Sequence, residues 1–284
     1  MAELLKNKKA VITGGSRGIG KVVAKLFLEN GAEVLLFARN SNELSEAQKE
    51  LSALGKVEVI AGDVSNVKDV DEVAKKAKSL WGEADILVNA AGIYGPIGPV
   101  TEVDPGEWRK VIDVNLIGTF LMIRAIAPLM KTKKIGKIIN FSGGGEAAFP
   151  NFTGYVASKG GVLRLNETVA AELKDFNIDV NAITPGPVNT KFLDDLLKAG
   201  PEKVGKDMYD RSLKQKETGG VPPERGAELC LFLASAASDG ISGKMLSAVW
   251  DNYPKLPEHL QELMSSDVYT MRRVKPEHRG MKFD

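Results

Sequence analysis

The chain has 284 residues, of which 43% are hydrophobic and 26% are charged. This composition suits one large α/β domain or two small ones, and it is ample for a buried core. Lys and Arg together number 38 and Asp and Glu 37, so the formal net charge is +1. A balance this even argues against electrostatic attraction of the whole protein to nucleic acid or to an anionic membrane.

The single cysteine and the distribution of apolar residues indicate the cellular compartment in which the protein is expected. Cys230 has no second cysteine to pair with, which excludes an internal disulfide. Residues 1–9 are short and polar, unlike a signal peptide, and no uninterrupted apolar run reaches the roughly 18 residues of a membrane span. We therefore expect a soluble protein of the reducing cytoplasm.

Short apolar runs alternate with amphipathic segments along the chain. The predicted strands are residues 10–13, 33–37, 57–61, 86–89, 137–141, 179–183 and 244–249. The helical segments between them include residues 18–30, 67–81, 105–131 and 154–176. Most strands lack strict apolar–polar alternation, as expected when helices cover both faces of a sheet. The pattern predicts a doubly wound α/β fold with a seven-stranded, mainly parallel sheet that binds ligands at the carboxyl ends of its strands.

Two regions depart from this alternation. Residues 185–223 mix apolar side chains with charges and glycine, and a loop of that length is often a functional lid. We expect one domain over residues 1–250, followed by an extension, residues 251–284, that docks on the same or the neighbouring subunit. The end of the extension is basic, with Arg272, Arg273, Lys275, His278, Arg279 and Lys282. These residues could form an anion site for a phosphate-bearing substrate, or they could be a solvated surface.

A glycine-rich turn follows the first predicted strand. Gly14, Gly18 and Gly20 let the backbone turn tightly and approach a pyrophosphate, and the helix that begins here directs free N–H groups at it. A plain strand-to-helix turn is the alternative, but the position after the first strand favours a nucleotide site. The cofactor-binding residues predicted here are Gly14, Ser16, Arg17, Gly18, Ile19 and Gly20.

The end of the second strand bears on the choice between NAD and NADP. A carboxylate there would bind the ribose 2′-hydroxyl of NAD, but the chain has Ala38, followed by Arg39 and Asn40. The guanidinium groups of Arg39 and Arg17 suit a 2′-phosphate. We therefore expect NADP(H) rather than NAD(H), with solvated surface arginines as the alternative.

The next two strands also end in candidate cofactor residues. Asp63 and Val64 are predicted to hold the adenine edge, although Asp63 equally suits a helix N-cap. Small residues after the fourth strand would let the nucleotide pass, and the candidates are Asn89, Ala90 and Gly92.

Tyr155 and Lys159 lie four residues apart in a helical segment and therefore share a face. An ammonium ion near a tyrosine lowers the pKa of the phenol, so the tyrosine can act as a general acid or base. Tyr-xxx-Lys alone is common by chance, but Ser142 follows the fifth strand and Asn115 lies in the segment 105–131.

Taken together, these motifs resemble the short-chain dehydrogenase/reductase family, in its compact single-domain Rossmann branch, and especially members like 3-oxoacyl carrier-protein reductase. The resemblance covers about residues 7–249, in the family's order and spacing. The matching residues are Thr13-Gly14-xxx-Gly18-x-Gly20, Asp63, Asn89-Ala90-Ala91-Gly92, Asn115, Ser142, Tyr155-xxx-Lys159 and Pro185-Gly186-Pro187-Val188-Asn189-Thr190.

The resemblance implies roles for these residues. Tyr155 would donate a proton to the substrate oxygen, and Ser142 would hydrogen-bond that oxygen. Lys159 would bind the nicotinamide ribose and lower the pKa of Tyr155, while Asn115 would anchor a water that relays protons. The residues implied to bracket the nicotinamide are Pro185, Gly186, Val188 and Thr190.

We thus expect an NADP(H)-dependent oxidoreductase acting on a small-molecule carbonyl or secondary alcohol, as a homodimer or homotetramer, without a metal, nucleic-acid or membrane partner. A 3-oxoacyl thioester and a sugar or nucleotide sugar are the candidate substrates. A non-catalytic NADP(H)-binding scaffold or redox sensor is the alternative, which the intact set of catalytic candidates argues against. Two points stay open: whether Glu146 faces the pocket or solvent, and how subunits assemble, since the last strand lacks the family's Val-Asp-Gly-Gly ending.

Overall fold

The computed structural model describes residues 3–281. Within that range seven strands form one sheet, in which every neighbouring pair is parallel. The strands are β1 (Lys9–Thr13), β2 (Glu33–Ala38), β3 (Val57–Ala61), β4 (Ile86–Asn89), β5 (Gly136–Phe141), β6 (Ile178–Thr184) and β7 (Met245–Ser247). Their order is β3-β2-β1-β4-β5-β6-β7. The predicted doubly wound, single-domain fold is confirmed, and the reversal of order between β1 and β4 leaves a crevice at the carboxyl ends.

Helices cover both faces of this sheet. The α-helices of the described residues are α1 (Gly18–Glu29), α2 (Ser41–Leu51), α3 (Val67–Trp81), α4 (Pro105–Ile112), α5 (Gly118–Lys131), α6 (Thr153–Leu173), α7 (Lys191–Ala199), α8 (Pro201–Val204), α9 (Lys206–Thr218), α10 (Pro223–Ala234) and α11 (Leu260–Ser265). Side chains of α1, α2 and α10 pack on one face, and those of α3, α5 and α6 on the other. Because successive strand residues point to opposite faces, Ala10 and Ile12 of β1 join the first core and Val11 joins the second.

Local chemistry accounts for the helix boundaries nearest the crevice. Asn40 begins α2, since its Oδ1 accepts the backbone N–H groups of Asn42 and Glu43 at 3.0 and 3.2 Å. Asn66 caps α3 in the same way, so it, and not Asp63, is the N-cap of that helix. Asp63 instead accepts the N–H and hydroxyl of Ser65 in a local turn.

The segment predicted as one helix, Pro105–Lys131, contains a five-residue π-helical turn at Asp113–Ile117 between α4 and α5. Such turns often occur at functional sites, and this one contains Asn115. Of the described helical stretches, Pro105–Lys131 passes a length and composition test for a membrane span. However, 56% of its most apolar window is buried inside the fold, as in the core helix of a globular protein.

Residues 191–218, here called the lid, form the three helices α7, α8 and α9 where a long loop was expected. Gly200 and Gly205 separate these helices with φ angles of +81° and +90°, which favour glycine. Leu196 and Val204 of the lid are buried against Phe152 in a third apolar cluster. The leucines of the lid thus have helical spacing, but the charged residues and glycines between them hid this pattern in the sequence.

The extension packs against β7 of the same chain. Tyr269 O accepts the backbone N–H of Met245 at 2.8 Å, so the extension covers the edge of the sheet. The buried Lys244 donates from Nζ to Ser266 O and Val268 O, both at 2.9 Å. Further along the extension, Glu167 of α6 accepts the backbone N–H of Met271. Of the basic residues predicted at its end, Lys282 lies outside the described residues.

Candidate active site

A cleft of about 1240 Å³ opens at the carboxyl ends of the strands. Three of the predicted site residues, Asn89, Asn115 and Ser142, do not line it and are buried. The cleft brings together the remaining predicted residues, which are Gly14, Ser16, Arg17, Gly18, Ile19, Gly20, Arg39, Asn40, Asp63, Val64, Ala90, Gly92, Tyr155, Lys159, Pro185, Gly186, Val188 and Thr190.

Each glycine in the glycine-rich turn has its own structural role. Gly14 has a φ of +66°, and a Cβ there would lie 3.0 Å from Ala91 Cα, in the segment after β4. A Cβ on Gly20 would collide with the carbonyl oxygen of Gly14. Gly18 has a φ of +54° but faces open space, where the nearest atom to its Cβ position is Thr190 Cγ2 at 3.9 Å. Gly14 and Gly20 therefore permit close packing, while Gly18 leaves the cleft clear.

Two helices begin at this open space. Among the described side chains, none caps α1 at Arg17 or α7 at Thr190. The free N–H groups and positive dipole ends of both helices thus lie near Gly18, which is the arrangement that binds phosphate in proteins. The cradle fits the pyrophosphate of a dinucleotide.

The two arginines expected at the 2′-phosphate differ in their surroundings. Arg39 is exposed and forms no ion pair or hydrogen bond with another described residue. Arg17 is engaged, because its Nη1 donates to Glu43 Oε1 at 2.9 Å. The second oxygen of Glu43 accepts the hydroxyl of Ser16 at 3.0 Å. Sequence reasoning missed Glu43, although a carboxylate in the first turn after the Asn40 cap was visible.

Tyr155 and Lys159 project from the first two turns of α6 beside the end of β5. Lys159 is 5% exposed, its Nζ donates to Phe141 O at 2.6 Å, and it lies 5.9 Å from the centre of the Tyr155 ring. The turn after Ser142 packs on that ring, since a Cβ on Gly144 would lie 3.0 Å from Tyr155 Cε1. The predicted tyrosine and lysine therefore occupy one wall of the cleft together with the turn that follows the buried Ser142.

Comparison with known proteins agrees with this geometry. The family model described as short chain dehydrogenase matches residues 8–199. The chain belongs to the short-chain dehydrogenase family. The predicted resemblance is thereby confirmed, and with it membership of an oxidoreductase family that uses a nicotinamide cofactor.

Curated relatives and solved structures match along most of their length. A 3α-hydroxysteroid dehydrogenase of Mediterraneibacter gnavus is 36% identical over 87% of this chain and 97% of its own. A 3-oxoacyl-[acyl-carrier-protein] reductase of Thermotoga maritima is 34% identical over 85% and 96%. A 7α-hydroxysteroid dehydrogenase complexed with NADH and 7-oxoglycochenodeoxycholic acid has a TM-score of 0.73 at 28% identity, with coverage of 86% and 94%. A short-chain dehydrogenase of Mycobacterium smegmatis has the same TM-score at 27% identity, over 88% and 95%.

The acid–base properties of this dehydrogenase site differ from one expectation. Burial raises the pKa of Tyr155 above its ordinary value of 10, and the nearby ionisable groups of Tyr94 and Glu146 raise it further. The expected lowering of this pKa is therefore wrong, because the loss of hydration on burial dominates. Burial also disfavours the charge of Lys159 and lowers its pKa to about 8.

Asn115 connects the segment after β4 to α6. Its Oδ1 accepts the N–H of Ile93, and its Nδ2 donates to Ile93 O and to Ser158 Oγ, all at 2.9 Å. Ser158 in turn donates to the carbonyl of Tyr155 at 2.7 Å. The amide therefore holds the strand end against the helix that carries the tyrosine.

Asn89 belongs to a second chain of buried amides. Its Nδ2 donates to Asn140 Oδ1 at 2.9 Å, and Asn140 donates to Asn166 Oδ1 at 3.0 Å. Asn89 Oδ1 is buried without a hydrogen-bond partner among the described residues. Asn89 thus ties β4 to β5 and α6 beneath the cleft.

Aromatic side chains that were not predicted as site residues pack around Tyr155. The Tyr94 ring meets Tyr155 edge-on at 4.7 Å and Phe192 of the lid at 4.5 Å, measured between ring centres. Burial raises the pKa of Tyr94 to about 12. Glu146 also lines the cleft although its side chain is exposed, so it is solvated and still faces the site. These contacts join residues far apart in sequence, and no local pattern marks them.

Proposed function

We propose that this dehydrogenase prefers NADP(H) and moves a hydride between the nicotinamide and a carbonyl or secondary alcohol, with Tyr155 as general acid or base. The observation that carries the proposal is the wall of the cleft where Tyr155, Lys159 and the turn after Ser142 meet, beside an uncapped phosphate cradle. A scaffold that only bound the cofactor would need the cradle but not a buried acid–base pair.

The chain's own residues would hold the cofactor along the cleft. The N-termini of α1 and α7 would bind its pyrophosphate, and Arg39, which has no partner among the described residues, would bind the 2′-phosphate. Lys159 would bind the ribose next to the nicotinamide, whose other side Pro185, Gly186 and Val188 line. When bound, the cofactor supplies or accepts the hydride.

Proton transfer would fall to Tyr155. Its raised pKa keeps the phenol protonated until a substrate oxygen with developing negative charge takes the proton. Ser142 would hydrogen-bond the same oxygen after turning from Ile183 O, which its hydroxyl now contacts at 3.4 Å. Lys159, with a pKa of about 8, would return a proton to Tyr155 near neutral pH. Tyr94 and Phe192 would exclude water and so strengthen these interactions.

The substrate half of the cleft favours a carbonyl attached to an apolar body. Phe149, Phe192, Leu196 and Met208 line it, while Glu146 adds a negative charge that opposes an anionic group close to Tyr155. A 3-oxoacyl thioester or a hydroxysteroid-like ketone, the substrate classes in the names of two relatives, suits this lining better than a sugar.

Assembly as a homodimer or homotetramer in the cytoplasm is part of this proposal. Ile117 and Phe120 are exposed apolar side chains near and on α5, which supports a contact between subunits. Light scattering of the full chain measures the mass directly.

Replacement of Tyr155 by Phe tests the proposed chemistry. The ring still packs but the proton donor is gone, so turnover is expected to fall by about 10² to 10⁴-fold while NADPH affinity stays within about twofold. NADPH oxidation across a panel of acyl thioesters, steroid ketones, diketones and sugars supplies the assay. Tyr209→Phe is the matched control, because Tyr209 packs in the lid cluster without lining the cleft. A Tyr155→Phe protein that keeps more than a tenth of wild-type activity would overturn the assignment, and a wild type that binds NADPH but reduces no carbonyl would favour the scaffold.

A further inference from the structure

A carboxylate stands at the adenosine end of the cleft although the strand end itself has none. The Asn40 cap fixes the first turn of α2, and from that turn Glu43 reaches across to the glycine-rich turn. Its two oxygens bond separately, to Arg17 Nη1 at 2.9 Å and to Ser16 Oγ at 3.0 Å. Both partners line the cleft, as do Glu43 and Arg39.

These contacts change the charge that a cofactor meets. Arg17 and Arg39 would present two positive charges to a 2′-phosphate, but Glu43 neutralises the first of them. The side chains of Arg17 and Glu43 are 52% and 30% exposed, so water screens the pair but does not remove the neutralisation. A dianionic phosphate placed here must compete with the Glu43 carboxylate for Arg17. The negative charges of the phosphate and the carboxylate also repel each other.

The same carboxylate can serve the other cofactor. A ribose 2′-hydroxyl is a hydrogen-bond donor, and a carboxylate is its usual acceptor in dinucleotide folds. Ala38 cannot fill that role at the end of β2, whereas Glu43 approaches the same end of the cleft from α2. One residue can therefore disfavour NADP(H) and favour NAD(H) at once.

We propose that Glu43 sets the ratio of NADP(H) to NAD(H) affinity and limits the preference that Arg39 creates, so that the wild type binds both cofactors. This inference rests on the proposed dinucleotide binding, and it assigns a specificity role to Glu43, not a catalytic one.

Calorimetric titration of the full chain with NADPH and NADH tests the inference. Glu43→Gln removes the charge, frees Arg17 and keeps a side chain of similar size. The ratio of the NADH dissociation constant to the NADPH dissociation constant is expected to rise about tenfold, the effect of one charge-assisted hydrogen bond. Glu43→Ala is expected to move the ratio in the same direction, and thermal unfolding of both variants checks that they are folded.

Glu46→Gln is the matched control. Glu46 is exposed on the same helix and, among the described residues, is not part of the cleft lining, so the same loss of charge should leave the ratio within about twofold of wild type. An unchanged ratio in both Glu43 variants, or an equal rise in Glu46→Gln, overturns the role of Glu43 and leaves the proposed function standing. A wild type that binds neither dinucleotide overturns both.

Discussion

The buried ammonium ion of Lys159 should make this protein less stable at neutral pH than at moderately alkaline pH. Among the described residues, its Nζ donates one hydrogen bond, to Phe141 O, and burial lowers its pKa from 10.5 to about 8. Between these values the unfolded chain binds more protons than the folded one, so the free energy of unfolding rises with pH. At about 1.4 kcal/mol for each pH unit of pKa change, the lysine costs roughly 3 kcal/mol at pH 7.

Urea unfolding at several pH values measures this effect. The wild type is expected to gain roughly 2 kcal/mol between pH 7 and pH 9.5. Lys159→Met has no charge to bury, so it should be more stable than the wild type at pH 7, with a difference that shrinks as the pH rises. The raised pKa of Tyr155 has the opposite effect only above pH 10, outside this window.

Lys174→Met is the control for the loss of one lysine. Lys174 is exposed at the end of α6, and its replacement should leave the wild-type pH dependence unchanged. Stability curves of the wild type and Lys159→Met that run parallel from pH 7 to pH 9.5 would refute the reasoning, because the buried charge would then carry no penalty. Lys159→Met should also lose turnover, which would show stability exchanged for function at this site.

Two further changes test the cofactor site and the extension. Arg39→Ala is expected to weaken NADPH binding by roughly tenfold or more and to leave NADH binding almost unchanged, since the 2′-phosphate loses a charge-assisted contact. In calorimetry, unchanged NADPH affinity in this variant would contradict the role of Arg39, and equal wild-type affinity for the two cofactors would contradict the proposed preference for NADP(H). A chain that ends after Tyr253 is expected to unfold at a lower temperature, because the buried Lys244 loses the carbonyl groups of Ser266 and Val268. If the extension also contacts a neighbouring subunit, light scattering of the truncated protein should show a smaller assembly, and its KM should rise more than its kcat falls. A truncated protein with unchanged unfolding temperature, mass and kinetics would mean that the extension contributes nothing.

Local sequence was enough to predict the fold and the position of the cleft. Strand and helix periodicities depend on neighbouring residues, so the β1 to β7 pattern and the glycine-rich turn were visible without any tertiary contact. Tyr155 and Lys159 were also placed correctly on one helix face, because their spacing of four fixes their relative direction.

Contacts between distant parts of the chain determined the rest. Glu43 and Arg17 are 26 positions apart, and the composition of neither segment indicates that they pair. Tyr94 and Phe192 reach Tyr155 from the segment after β4 and from the lid, and the burial to which they contribute raises its pKa above 10. The direction of that pKa is thus a property of burial, which depends on the whole fold and not on the Tyr-xxx-Lys motif.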